Sequence, residues 1–189
     1  MRHTDIAIVG GGLAGSVVAA MLGQSGIDVV LIDPRPVYPA DFRCEKLDGP
    51  QMAILEKCGL ADAVRRASTP DRESWVSRFG RVVERRPGDQ QGIRYDTLVN
   101  TVRGEILGRV AFVHAKVQDI QTAPDRQEIT LSNGWQISAR LLVIASGLNV
   151  GVVHKLGMTR KLISACHSIS IGFDPAPNGR PRLGFPALT

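Results

Sequence analysis

The chain has few of the residues that most readily betray a function. Its three cysteines, Cys44, Cys58 and Cys166, form no CxxC pair and no metal-type spacing with histidine. A disulfide scaffold and a Cys/His metal site are therefore not expected, and a reducing cytoplasm suits the odd count. No apolar run approaches the ~18 residues a transmembrane helix needs. Aromatic residues make up 5% of the chain, and the arginines behind its net charge of +5 are scattered rather than clustered. Without a basic run interleaved with aromatics, a nucleic-acid face is not expected. Ser146 lies in no GxSxG elbow, and His3, His114, His154 and His167 are dispersed without partners. No catalytic side-chain constellation is read, so the catalytic residues stay unassigned and no metal is expected. Internal repeats and low-complexity segments are absent as well.

Against that background one stretch stands out. Asp5-Ile6-Ala7-Ile8-Val9 runs into Gly10-Gly11-Gly12-Leu13-Ala14-Gly15, a helix-like segment follows, and Val29-Val30-Leu31-Ile32 ends in Asp33. Strand, glycine turn, helix, strand and terminal acid form a βαβ unit of the dinucleotide-binding kind. Gly10 permits the tight turn, Gly12 lets a pyrophosphate approach the backbone, and Gly15 lets the helix pack close to the sheet. The helix start offers unpaired N–H groups and a partial positive charge to phosphates. A carboxylate at Asp33 can accept both ribose hydroxyls and would repel a 2′-phosphate, which favours FAD or NAD over NADP. Arg2 and His3 precede a strand, not the apolar core of a signal peptide.

The rest of the chain reads as a mixed α/β protein. Helical spacing covers residues 13–25, with Gly26 as the stop. Pro34-Arg35-Pro36 ends regular structure. Arg35 either flanks an adenosine or is a solvated loop arginine. A helical pattern follows through Leu47, Met52 and Leu55, with Arg43 near its start, where a planar cation can meet a pyrophosphate. Residues 74–86 read as a hairpin about Gly80, residues 87–92 as a polar loop and 94–107 as a helix. Strands at 110–114, 117–122 and 127–131, with the Asn133-Gly134 turn into 135–138, predict an antiparallel meander inserted before the parallel sheet resumes at Leu141–Ala145. The small residues Ser146-Gly147 after that strand allow another close approach of backbone to ligand. An alternating strand is expected within 165–173.

Taken together, the glycine turn with Asp33, Arg43 and the Ala145-Ser146-Gly147 turn resemble the flavoprotein monooxygenases of the p-hydroxybenzoate hydroxylase type, whose relatives include geranylgeranyl reductases and flavin-dependent halogenases. The family often has Glu at the position of Asp33, and Thr or Asp at that of Ser146. The resemblance implies FAD as cofactor, with NAD(P)H and oxygen as co-substrates and a small molecule as the hydroxylated substrate. It implies that Gly10, Gly12, Leu13, Ala14 and Gly15 surround the pyrophosphate and that Asp33, Pro34 and Arg35 lie at the adenosine. Arg43 would reach the pyrophosphate or ribityl region, Val117 would meet adenine through its backbone, and Ala145, Ser146 and Gly147 would close on the cofactor. Arg94 is either a ribityl contact or a surface ion pair. The family's later Gly-Asp motif and substrate sheet do not occur in these residues. The expectation is an FAD-binding domain over residues 1–160, with the beginning of a truncated substrate domain over 161–189, inactive alone. The rival readings are an NAD-dependent oxidoreductase and a non-catalytic dinucleotide-binding or partner-docking module, with an exposed sheet edge through which two copies could pair.

Overall fold

The computed structural model describes residues 1–159, 161, 163 and 164. The strand expected within 165–173, and with it the proposed start of a second domain, lies outside the described residues. The chain opens with β1 (Arg2–Val9), α1 (Leu13–Gln24) and β2 (Val29–Ile32). These are followed by β3 (Cys44–Leu47), α2 (Gly49–Lys57), α3 (Ala61–Ala67) and β4 (Thr69–Pro70). Then come β5 (Glu73–Arg78), β6 (Arg81–Pro87), β7 (Gln91–Arg94) and α4 (Tyr95–Gly104). Finally β8 (Ala111–Val113), β9 (Val117–Thr122), β10 (Gln127–Leu131) and β11 (Gln136–Ile144) lead to α5 (Val150–Lys155).

One six-stranded sheet, ordered β8-β2-β1-β11-β10-β9, organises the molecule. β8, β2, β1 and β11 run parallel, and β10 and β9 complete the sheet antiparallel. β1 lies in the middle and is buried on both faces, as its nearly continuous apolar run requires. Ala7 and Val9 join Val30, Ile32, Ile129 and Ile137 on one face. Ile8 packs with Ala19, Val29 and Leu31 under α1 on the other. A further cluster, with Leu55, Leu60, Val64, Leu98 and Val102, binds α2, α3 and α4 to the outer side of α1. Each of its fully buried aliphatic side chains contributes about 1.5–3 kcal/mol by leaving water.

The register decides where the site lies. Val9 pairs with both Ile32 and Ile144, and Ile32 with Val113. The parallel strands therefore end at one level, and the chain emerges at Gly10, Asp33, His114 and Ala145 along a single edge. Backbone bonds from Gly10 N–H to the Ile32 carbonyl (2.9 Å), from Asp33 to Val113 (3.2 Å) and from Ala145 to Val9 (2.8 Å) carry the ladder one residue beyond the strands. Ligands of open α/β sheets bind outside this carboxyl edge.

Three readings of the sequence are corrected. Leu47 does not belong to a helix. Residues Cys44–Leu47 form a strand that pairs with β7, and the helix starts only after Asp48. Asp48 caps that helix through a reciprocal capping box with Gln51. The stretch taken as a polar loop from Pro87 to Gly92 ends in β7, the middle strand of a small sheet ordered β3-β7-β4. The meander is not an insert interrupting the sheet. Its last strand and the strand at 141–145 are the single strand β11, antiparallel to β10 along its first half and parallel to β1 along most of its length. The hairpin about Gly80 forms as expected, and its turn carries positive φ at Phe79 (50°) and Gly80 (76°), the geometry of a two-residue type I′ turn.

Candidate cofactor site

A cavity of about 710 Å³ opens at the carboxyl edge of the parallel strands, within the range of small-molecule and cofactor sites. Its floor is Gly10, Gly12 and the end of β2 at Asp33. Pro34, Arg35, Tyr38, Arg43, Tyr95, Val117, Ser146 and Gly147 also line the cavity. Residues scattered over 137 positions of sequence thus meet at one place. Leu13, Ala14, Gly15 and Ala145 do not line it. Leu13 packs against the helical core cluster, and Ala145 against the core under α1.

The glycines divide by what surrounds them. Gly10 adopts φ +108°, and a Cβ there would sit 2.5 Å from the Ala145 carbonyl oxygen. A Cβ on Gly15 would strike the Gly10 carbonyl oxygen. These two positions need glycine because protein backbone is already there. Gly12 differs: a Cβ there would have only the Tyr95 hydroxyl within 4 Å, at 3.8 Å. The space beside Gly12 belongs to the cavity. Gly12 is also the N-cap of α1, whose first N–H groups lack intrahelical acceptors.

Asp33 is 3% exposed. Its carboxylate accepts from the Gly11 N–H (2.9 Å), the Arg35 N–H (2.9 Å) and Arg35 Nε (3.2 Å). Burial pushes this carboxyl upward, but the bonds from the Arg35 side chain and from the Arg35 and Gly11 backbone outweigh it and hold the group below the usual carboxylate range. It is therefore an anion at neutral pH. Arg35 lies over Tyr38, its guanidinium carbon 4.9 Å from the ring centre. Arg43 stacks over Tyr95 at 4.1 Å and pairs with Asp41 at 2.7 Å. Its hydrogen bond to Asp41 raises the Arg43 pKa above its ordinary value. Tyr38 and Tyr95 meet edge to face, 5.4 Å apart. Arg94 pairs with Asp96 on the surface, outside the cavity.

Some residues of this site escaped the sequence reading. Tyr38, Tyr95 and Lys116 line the cavity without any motif to flag them. Arg103, near the end of α4, reaches behind the glycine turn and lies 3.6 Å from Asp33. Its only sequence signal is a cation on a helix whose other face is apolar. Among the described residues no group of His, Cys, Asp and Glu is arranged to hold a metal ion, and no helix is long and apolar enough to cross a membrane.

A glycine-floored cavity at the carboxyl edge, with an ionised acid at the end of β2, defines a dinucleotide-binding α/β domain. Comparison with known proteins narrows the class. The model of the FAD binding domain family matches residues 3–85. The 3-demethoxyubiquinol 3-hydroxylase of Escherichia coli is 29% identical over 174 residues, covering 83% of this chain and 44% of the hydroxylase. The crystal structure of a p-nitrophenol 4-monooxygenase from Pseudomonas putida superposes with a TM-score of 0.73 at 20% identity, over 84% of this chain and 45% of that one. A flavin-dependent monooxygenase solved with FAD and substrate gives 0.69 at 17% identity, over 83% of this chain and 32% of that one. The chain thus spans less than half the length of these proteins. These similarities support an FAD-binding domain like that of the FAD-dependent monooxygenases of the p-hydroxybenzoate hydroxylase type.

Proposed function

We propose that this chain is the cofactor-binding part of an NAD(P)H- and oxygen-dependent hydroxylase of a small, electron-rich ring. The observation that carries the reading is the cavity itself, where an open Gly12 and an ionised Asp33 share one floor. Bound FAD would supply the redox chemistry and the activation of oxygen. The chain's own residues bind and orient. Gly12 and the start of α1 receive the diphosphate, and Asp33 accepts the adenosine ribose hydroxyls. Arg35 and Val117 flank the adenosine. Arg43 reaches the diphosphate as a planar cation already stacked on Tyr95, and Ser146-Gly147 close the far side. Gly10, Gly15 and Ala145 act one layer behind, by letting turn, helix and strand approach closely, and Leu13 and Ala14 carry the helix start. The ring that is hydroxylated meets residues of the whole protein outside residues 1–160, where the substrate part begins. The hydroxylase relative acts on 3-demethoxyubiquinol by its name, which makes a quinol-type ring the first substrate to try. A cytoplasmic location suits the free Cys44 and Cys58, with pairing of two copies through an exposed sheet edge as the mode of self-association.

Parallel calorimetric titrations with FAD, ADP and NAD test the binding reading. FAD and ADP are expected to bind and NAD to fail. Preferential binding of NAD would replace the flavoprotein reading by a dehydrogenase. Ring-dependent NAD(P)H and oxygen consumption by the whole protein tests the activity.

A further inference from the structure

Beside the cavity, but not lining it, one cation has an unusual set of partners. The Arg103 side chain is 6% exposed. Its Nε and Nη2 both donate to the Gly11 carbonyl, the former at 2.9 Å. Nη1 donates to the carbonyls of Arg35 (2.8 Å) and Pro36 (3.3 Å). Nη2 also faces the Asp33 carboxylate at 3.6 Å. The guanidinium's donors are thus spread over two stretches of chain, the glycine turn and residues 33–36. Burial pulls the Arg103 pKa below its ordinary value, and the Asp33 charge opposes that pull. A lysine ammonium, a point donor on a flexible stem, cannot reproduce this planar fork.

The consequence lies in the peptide between Gly11 and Gly12. A trans peptide is planar, with its C=O and N–H pointing in opposite directions. Arg103 draws the Gly11 carbonyl toward the protein side, and Ser16 Oγ, itself fully buried, donates to the same oxygen at 3.1 Å. The Gly12 N–H on the other end of that peptide is thereby turned away from Arg103, on a residue that lines the cavity. The same guanidinium steadies Asp33 and the 35–36 loop. The loop is tied to α4 a second time, where Asn100 exchanges two hydrogen bonds with the Tyr38 backbone (2.8 and 3.0 Å).

We infer that Arg103 is a positioning residue for the adenosine diphosphate moiety: without touching the ligand, it fixes the peptide that presents the Gly12 N–H to phosphate and the carboxylate that meets the ribose. This rests on the dinucleotide reading above.

The test is an ADP titration of the full chain and its variants, far below their melting temperatures. In Arg103→Ala, ADP affinity is expected to fall at least about tenfold, the scale of losing hydrogen bonds to a charged group. Arg103→Lys is expected not to restore it. Low-millimolar guanidinium chloride, which can refill the vacated space, is expected to recover a large part of the affinity in Arg103→Ala, and ammonium chloride none. A role confined to fold stability would give no such selective rescue. If Arg103→Ala fails to fold, Ser16→Ala takes its place. It removes one donor from the same carbonyl without stranding a charge, and about a fivefold loss of ADP affinity is expected. Parent-like affinity in Arg103→Ala, or in Ser16→Ala where that is the variant tested, overturns the proposal while leaving the dinucleotide site intact, as does equal rescue by both salts. Failure of the unmutated chain to bind ADP overturns the dinucleotide reading and this proposal with it.

Discussion

Two Asp–Arg pairs flank the same cavity, and they are built in opposite ways. Asp41 and Arg43 approach to 2.7 Å, with side-chain exposures of 20% and 52%. Asp33 and Arg103 stand 3.6 Å apart, with exposures of 4% and 6%. The longer contact has the greater structural weight. In the wet pair, water can solvate either charge if the other leaves, and such pairs contribute little. In the dry pair, removing one partner strands the other in a medium that cannot solvate it. The difference also divides the labour of the site. The buried pair holds the turn and the carboxylate still before any ligand arrives. The exposed pair keeps a guanidinium stacked on Tyr95 at the cavity wall, where water reaches it.

The sharpest way to break this contrast is Asp33→Ala. It is expected to cost about 3–5 kcal/mol of folding stability, because Arg103 loses its one anionic partner among the described residues. Urea denaturation measures this, and a cost below about 1 kcal/mol would place the pair among surface ion pairs. Next comes Gly12→Val, for which the structure has room. It is expected to abolish FAD and ADP binding with little change in melting temperature. Binding that survives would remove the diphosphate from Gly12.

Acid tests the buried pair directly. The Asp33 carboxyl titrates below its ordinary value in the folded protein, so the unfolded chain takes up its proton first as pH falls. The stability due to Asp33 is therefore complete above about pH 4, the unfolded value, and is lost as pH drops from there through the folded value. The stability gap between the parent and Asp33→Asn should close over that acid range, and a gap independent of pH would contradict the assignment. Arg43→Ala is expected to weaken FAD binding by about 1 kcal/mol, less at high salt, with an unchanged melting temperature. The smallest effect is expected from Asp41→Ala, which should leave the melting curve where it was.

The same distinction between local and distant causes explains what the sequence revealed. The β1–α1–β2 unit was legible because each part is coded within the stretch from Asp5 to Asp33: apolar runs, glycines at fixed intervals, an acid at the end. The hairpin at Gly80 was legible from its turn. The small sheet was not. Cys44–Leu47, Thr69–Pro70 and Gln91–Arg94 are two to four residues each, mostly exposed, and take their strand conformation from partners tens of residues away. Within the site, Gly12, Asp33 and Arg43 could be named from motifs. Arg103 could not, because its partners are backbone carbonyls 67 to 92 positions away, and carbonyls leave no trace in residue identity.

β11 joins the N-terminal strand to residues 137–144, and this has a bearing on how the protein is made. On the ribosome, β1, α1 and β2 emerge before the other described elements, but the central strand waits for one of its two neighbours until nearly the whole described chain has been synthesised. Pairing at such sequence separation carries a large loop-closure cost and is slow to form. Until it forms, one edge of β1 is an unpaired apolar strand beside a half-built core, a species prone to associate with its own kind. The nascent chain is thus most exposed to aggregation during the interval between the glycine turn leaving the ribosome and β11 following it.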